Sequence, residues 1–284
     1  MERFVCGNGV DTQQFPLGFL EEMAAGSPDE LHLRYDHIAE AARRMERRGW
    51  VRLPFCNTLC SEALGARPSL SASGARIRET PYKKADELPE KLDLESPRLT
   101  AMLRAVETLA EEGKSVAYDM EGPFTLLCSL LPMGRVFAAL RKSAGSDLLE
   151  KAVGWVSSYA GLAVKRGARM LSVADPVATA DILGERMFTS VYVPYLKMTL
   201  SRLQEEQPGI PIHLCGKLTQ CLIDTQACDV EEWRAENRQT YGEMLTAFCE
   251  SGGEGVIGHF CLHFLDAERP YLELIKFKEK GNPI

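Results

Sequence analysis

Apolar positions recur along this chain with two periods, one helical and one strand-like, and the two alternate. From Ile38 to Arg48, Ile38, Ala41, Ala42 and Met45 share a helical face opposite arginines, and Gly49 ends the run. Trp50-Val51-Arg52-Leu53-Pro54-Phe55 reads as a strand running into a loop from Cys56 to Glu62. Gly65 to Leu92 is rich in Pro, Ser, Gly and charge without clear period, and reads as an excursion above the core. Arg98 to Glu112 is helical and stops at Gly113, before a strand from Ser115 to Met120. A long helix, Leu148 to Lys165, leads through Gly167 to a strand from Arg169 to Ala174. Phe188 to Gln204 is helical, and Pro194 must kink or restart it, having no N–H to give. The remainder reads as a strand at His213, a short segment around Ala227-Cys228-Asp229, a helix from Glu231 to Cys249 and a strand ending at Cys261.

Strand and helix in alternation predict a parallel sheet with helices outside it. A polar residue stands at nearly every strand end, where α/β folds place their chemistry. The expectation is one α/β domain spanning 1–284, a TIM-type (β/α) barrel that is shortened or irregular in its C-terminal third. No repeat or linker divides the chain.

Composition narrows the function. A net charge of −7 offers no basic face, which argues against nucleic acid as a partner. No apolar run approaches the length of about 20 residues that spans a membrane. The first residues lack a signal-peptide pattern, and nine cysteines without a regular framework suit a reducing cytoplasm. Thiols there are free for metal binding or chemistry.

The candidate chemistry centres on Pro211-Ile212-His213-Leu214-Cys215-Gly216 and Gly258-His259-Phe260-Cys261-Leu262-His263. On a strand, residues two apart point to one face, so the His213 imidazole and Cys215 thiol converge. With Cys261 from the second strand, one nitrogen and two sulfurs make a three-ligand Zn2+ site with an open fourth position. The competing reading is core packing, since cysteine is among the most buried residue types. Asp175 and Glu121, at strand ends of the same face, are the candidate catalytic carboxylates, as partners of His213 or extra ligands. Asp175 serves equally well as a helix N-cap. Glu62 lines the same mouth or is a solvated loop charge. By strand alternation His259 and His263 share the face of Cys261, as added ligands or as hydrogen-bonded core histidines. Cys56 and Cys60 lack the paired motif of a second metal site, and Cys6, Cys128, Cys221, Cys228 and Cys249 read as core.

These residues, in order, resemble the uroporphyrinogen decarboxylase superfamily. The resemblance is carried by Leu53-Pro54-Phe55, Ser61-Glu62-Ala63-Leu64-Gly65 and Glu121-Gly122-Pro123-Phe124-Thr125-Leu126. Gly167-Ala168, Ala174-Asp175-Pro176, Val193-Pro194-Tyr195 and His213-Leu214-Cys215-Gly216 complete it. Within the superfamily the chain is most similar to the zinc-dependent corrinoid methyltransferases of the methylcobamide:coenzyme M type. The resemblance implies zinc on His213, Cys215 and Cys261. It also implies a methylcorrinoid as methyl donor, a corrinoid carrier protein as partner, and a small acceptor, most simply a thiol. The decarboxylases' Arg-Gln-Ala-Gly-Arg-Tyr loop has no counterpart, and Val173-Ala174-Asp175-Pro176 replaces their Phe-Asp-Ser-Trp. A decarboxylase and a non-catalytic corrinoid-binding accessory barrel are the alternatives. Only 46 residues separate Cys215 from Cys261, and the family's Gly-Asn-x-Asp-Pro strand is missing between Asp229 and Glu254.

Overall fold

The computed structural model describes Glu22 and residues 28–278, apart from 54–55, 72–73 and 142–143. Cys6, Pro54, Phe55 and the Cys56 side chain lie outside the described residues. Helices α1 (Pro28–Leu33) and α2 (Tyr35–Arg44) open the described fold. Ile38, Ala39, Ala41 and Ala42 bury one face of α2, while Arg43 and Arg44 pair outside with Glu112 and Glu40. The helix stops at Arg44 rather than Arg48. Arg48 and Gly49 take φ of 52° and 79°, a left-handed pair that turns the chain into β1 (Trp50–Arg52).

The expected loop from Cys56 to Glu62 is a 3-10 turn, Cys56–Thr58, followed by a short helix, Leu59–Glu62. The excursion contains an antiparallel hairpin, β2 (Pro68–Ser71) with β3 (Gly74–Ile77). Next come α3 (Pro97–Glu111), β4 (Ser115–Glu121), α4 (Pro123–Leu130), α5 (Met133–Leu140), α6 (Ala144–Lys165) and β5 (Ala168–Ala174). The Pro194 expectation holds. A π-helical turn, Phe188–Tyr192, precedes α7 (Val193–Glu206), whose first turn accommodates the proline because its N–H would go unused there.

Strand β6 (Ile212–Leu214) feeds α8 (Gly216–Asp224), and there the regular alternation ends. Glu231 does not start a helix. Cys228–Trp233 forms β7, and the helix α9 begins only at Tyr241, running to Glu250 behind a capping box of Thr240 and Glu243. Acidic residues that suit a first helical turn instead lie along a sheet edge, where charge discourages unwanted pairing. Strand β8 (Val256–Gly258) stops before Cys261, which caps a 3-10 turn, Leu262–Phe264. A last strand, β9 (Leu272–Phe277), has no counterpart in the sequence reading.

The main sheet has the order β1-β4-β5-β6-β8-β9-β7. Pairing is parallel from β1 to β8, and β9 runs antiparallel to both β8 and β7. The fold is thus an α/β barrel type with an irregular C-terminal third, and its sheet is not closed among the described residues. The outer face buries Val51, Val116, Tyr118, Leu171, Val173 and Leu214 in one core with residues of α2, α3, α4, α6 and α7. The inner face is different. Trp50, Ala117, Met170 and Ile257 pack against Tyr241, Met244, Leu245 and Phe248 of α9. The Trp50 indole N–H donates to Thr246 Oγ1 at 3.0 Å and Gly242 O at 3.2 Å. Each of the larger buried side chains contributes on the order of 1.5–3 kcal/mol before ordering costs, so α9 is fixed as a floor across the inner face. No helix among the described residues is long and apolar enough to cross a membrane.

Candidate functional site

Above that floor the inner face turns polar. Strand register sets Asp119 beside Ser172 and Ser172 beside His213, one side chain from each of three strands. Arg52 Nη2 reaches up from β1 and donates to Asp119 Oδ2 at 2.7 Å. Burial opposes ionisation of Asp119, but the Arg52 charge together with hydrogen bonds from Ser172 and Arg52 holds the carboxyl below its usual range. His213 Nε2 lies 2.9 Å from the Phe260 carbonyl, which can only accept, so this nitrogen carries the ring proton. Ser172 Oγ, 3.2 Å from Nδ1, shares its single hydrogen between that nitrogen and the Asp119 carboxylate. Burial pushes the imidazole down to about 4, so His213 is neutral at physiological pH.

The strand ends carry two buried carboxylates, and they differ. Asp175 is saturated. It accepts from Phe124 N at 3.1 Å, Thr125 N at 2.6 Å, Thr125 Oγ1 and Tyr192 Oη at 3.0 Å. The first two donors are N–H groups of the first turn of α4, so Asp175 caps that helix from across the sheet. Tyr192 is presented by the π-helical turn before Pro194. Burial raises Asp175 to about 6 despite these donors. Glu121 is less well met. Ser129 Oγ donates to Oε1 at 3.0 Å and Ser61 offers its hydroxyl and backbone N–H to the same carboxyl, while Oε2 is buried without a well-formed hydrogen bond among the described residues. Burial, with the Asp175 charge adding to it, pushes Glu121 up to about 7.

The chemistry of the expected zinc ligands suits the metal: one neutral imidazole and two thiols. Their arrangement does not. Cys215 sits at the N-cap of α8, and its N–H donates to Val173 O at 2.9 Å. Cys261 Sγ lies 3.1 Å from His263 Nδ1, in the loop beyond β8. His213 touches the backbone of the residue before Cys261. Among the described residues, no three His, Cys, Asp or Glu side chains are grouped so as to hold one ion.

Strand alternation does not survive past Gly258. His259 takes a left-handed φ of 59° and turns away into hydrogen bonds with Glu273 and Gln220, so only His263 accompanies Cys261. Glu62 is not a solvated charge: its side chain is buried in an ion pair with Arg98 and accepts from Thr58 Oγ1 at 2.6 Å. Burial raises its pKa against the pull of Arg98. Cys60 and Cys228 are buried, and Cys128, Cys221 and Cys249 half-buried. Burial pushes Cys128 up to about 12, and Cys228 and Cys249 to about 11, which slows the reactions of these thiols.

Arg52, Asp119, Ser172, Tyr192 and Glu273 were absent from the sequence reading of the site. Asp119 was within reach of it, standing two positions before Glu121 on one strand and therefore on its face.

Comparisons with known proteins agree with this architecture. Methylcobamide:CoM methyltransferase MtaA of Methanosarcina barkeri (strain Fusaro / DSM 804) is 30% identical over 208 residues, 66% of this chain and 57% of that protein. Methylcobamide:CoM methyltransferase MtbA of Methanosarcina mazei is 26% identical over 194 residues, 64% of this chain and 56% of that protein. The match thus spans little more than half the length of these curated relatives. A solved methyltransferase structure from Methanosarcina mazei superposes with a TM-score of 0.64 at 22% identity, covering 80% of this chain and 69% of that one. The family described as uroporphyrinogen decarboxylase (URO-D) matches residues 18–256, most of the 284-residue chain, and the chain belongs to it.

Proposed function

We propose that the chain moves a methyl group between a methylated corrinoid, presented by a separate carrier protein, and a small acceptor such as a thiol. The observation that carries this reading is Glu121: a buried carboxyl at a strand end raised to about 7, with Oε2 outside any well-formed hydrogen bond. A base poised near neutral pH is suited to take the proton of a thiol, whose own pKa is about 8.5. The S–H proton passes to Glu121 Oε2 while sulfur bonds to the methyl carbon. The cobalt–carbon electron pair stays on cobalt, and Glu121 returns its proton to solvent. Asp175, with every acceptor position filled, anchors α4 and Tyr192 and moves no proton.

Methyl transfer is the activity named for the two relatives. A zinc ion held by His213, Cys215 and Cys261 belongs to the same reading and would supply Lewis-acid activation of the thiol. The three side chains do not fit an ion as they stand, and no step is assigned to it. A cytoplasmic setting also belongs to this reading.

The test follows the absorbance of methylcobalamin during demethylation with candidate thiols and with tetrahydrofolate. Glu121→Gln should lower the rate by about 10²–10⁴-fold, the usual contribution of a positioned base. A second reading, an accessory barrel that binds the carrier without turnover, draws support from α9 lying across the inner face. It takes over if wild type and Glu121→Gln give the same background rate with every acceptor and with the carrier protein.

A further inference from the structure

The two candidate thiols sit on loops that nothing in the chain order brings together. Cys215 opens α8, and Cys261 lies three residues beyond β8. Two contacts bridge these loops. At the first, Gly258 lies directly against α8: a Cβ there would fall 2.6 Å from Thr219 Oγ1 and 2.9 Å from Ile275 Cγ1. Thr219 Oγ1 in turn donates to the Cys215 carbonyl at 3.1 Å. Any side chain at position 258 would separate the two loops.

The second contact is a buried polar chain. His259 Nδ1 meets Glu273 Oε2 at 2.8 Å, and His259 Nε2 meets the Gln220 amide oxygen at 2.9 Å. His259 and Glu273 are both more than nine-tenths buried. Arg269 completes the arrangement: Nη2 donates to Glu273 Oε2 at 2.5 Å, and the guanidinium lies 4.4 Å from the Phe260 ring and 4.5 Å from the Tyr271 ring. His259 holds a left-handed conformation that a side chain rarely adopts unless its surroundings enforce it. Here the enforcement is visible on both ring nitrogens. The carboxylate comes from β9, beyond the residues 18–256 that match the family.

We propose that Glu273, His259 and Gln220 are positioning residues, a brace that fixes the Cys261 loop against α8 and sets where its thiol stands relative to Cys215 and His213. The proposal rests on the reading, under the proposed function, of His213, Cys215 and Cys261 as the residues that would hold zinc. The brace explains why a non-glycine residue tolerates the turn at 259, and why a buried carboxylate faces inward from the antiparallel strand. It also gives the irregular C-terminal third a task, since β9 supplies the fixed end.

The test uses the full chain and needs no metal. Iodoacetamide labelling is followed peptide by peptide at Cys261, Cys215 and Cys249. Gln220→Ala and Glu273→Ala should each speed labelling of Cys261 about fivefold, as loss of one buried hydrogen bond opens the loop. Cys249, in α9, should label at its original rate, and Gln220→Glu, which still accepts from the ring, should restore the slow rate at Cys261. An unchanged Cys261 rate in Gln220→Ala overturns the brace, as does an equal rise at Cys249. Should Glu273→Ala fail to fold, Gln220→Ala alone decides. Cobalt(II) titration of wild type separates the two ideas: no thiolate-to-cobalt absorption sinks the metal reading, while labelling still decides the brace.

Discussion

Gly122 stands against Asp175 so closely that a Cβ at position 122 would lie 2.5 Å from Asp175 Oδ2. The glycine is there for approach, not for an unusual backbone angle, since its φ of −78° is open to any residue. Gly122→Ala must therefore push the Asp175 carboxylate off the first turn of α4 and off Tyr192. Leaving those N–H groups poorly met should cost about 1–3 kcal/mol of stability, read as a lower denaturant midpoint. A variant as stable as wild type would mean that Asp175 is not the cap described.

Glu121 and His213 give opposite signs to the pH dependence of stability. Glu121 is raised from 4.5 to about 7, so the folded state holds a proton that the unfolded state has lost within this window. Its contribution is full below pH 4.5 and is lost as pH climbs through about 7, on the order of 3 kcal/mol. His213 is lowered from 6.5 to about 4, so the unfolded chain binds the extra proton. Its contribution is present above pH 6.5 and lost as pH falls through about 4. The two slopes oppose each other between pH 4.5 and 6.5. Asp175, raised from 3.8 to about 6, adds a falling slope of its own, so Glu121 is read by difference: stability of Glu121→Gln should fall less steeply, or rise more, with pH between 4.5 and 7 than that of wild type in denaturant titrations. An unchanged slope in the variant would contradict the assignment.

The parallel core was legible because it depends on local pattern. Short apolar runs ending in a polar residue mark β1, β4, β5 and β6 before any contact is known, and Gly49, Gly113 and Gly167 mark the helix ends that lead into the first three. Pro194 announced its own break. What the pattern missed is non-local. Glu231 and Glu232 suit a first helical turn, and only pairing with β9 makes them a strand. The left-handed turn at His259 depends on Glu273, 14 residues later, so strand alternation carried too far along the Cys261 segment. Glu62 looked like a loop charge because Arg98, its buried partner, is 36 residues away.

Trp50 ties the first strand to α9 across a separation of 192 and 196 residues. Its indole N–H donates to Thr246 Oγ1 and Gly242 O, and its ring lies in the core beneath the polar layer. Trp50→Phe keeps most of the apolar surface but leaves both acceptors without that donor. A loss of about 1–3 kcal/mol is expected. Amide exchange should quicken first in residues 241–250, because that helix is held to the inner face by these contacts. Uniform acceleration across β4 and β5 as well would show that α9 is no separate floor but part of one cooperative core.

Proton accounting at His213 gives the sharpest test of the metal reading. In the structure Nε2–H donates to Phe260 O and Nδ1 accepts from Ser172. To serve as a ligand through that nitrogen, His213 would have to release the Phe260 carbonyl and carry its ring proton on Nδ1 instead. Ser172 Oγ then becomes an acceptor, and its own hydrogen has to turn elsewhere. The register places Asp119 beside it on β4, a carboxylate held ionised by Arg52 and able to receive that hydrogen. The layer can thus switch tautomer without leaving a buried donor unmet. Nitrogen-15 spectra should show His213 protonated on Nε2 in the metal-free protein and on Nδ1 after one equivalent of zinc. Ser172→Ala should weaken zinc binding about 10–100-fold, as loss of a partner behind a ligating histidine does. If zinc binds with the Nε2–H signature intact, the metal lies elsewhere, and His213 serves only to hold the Phe260 backbone.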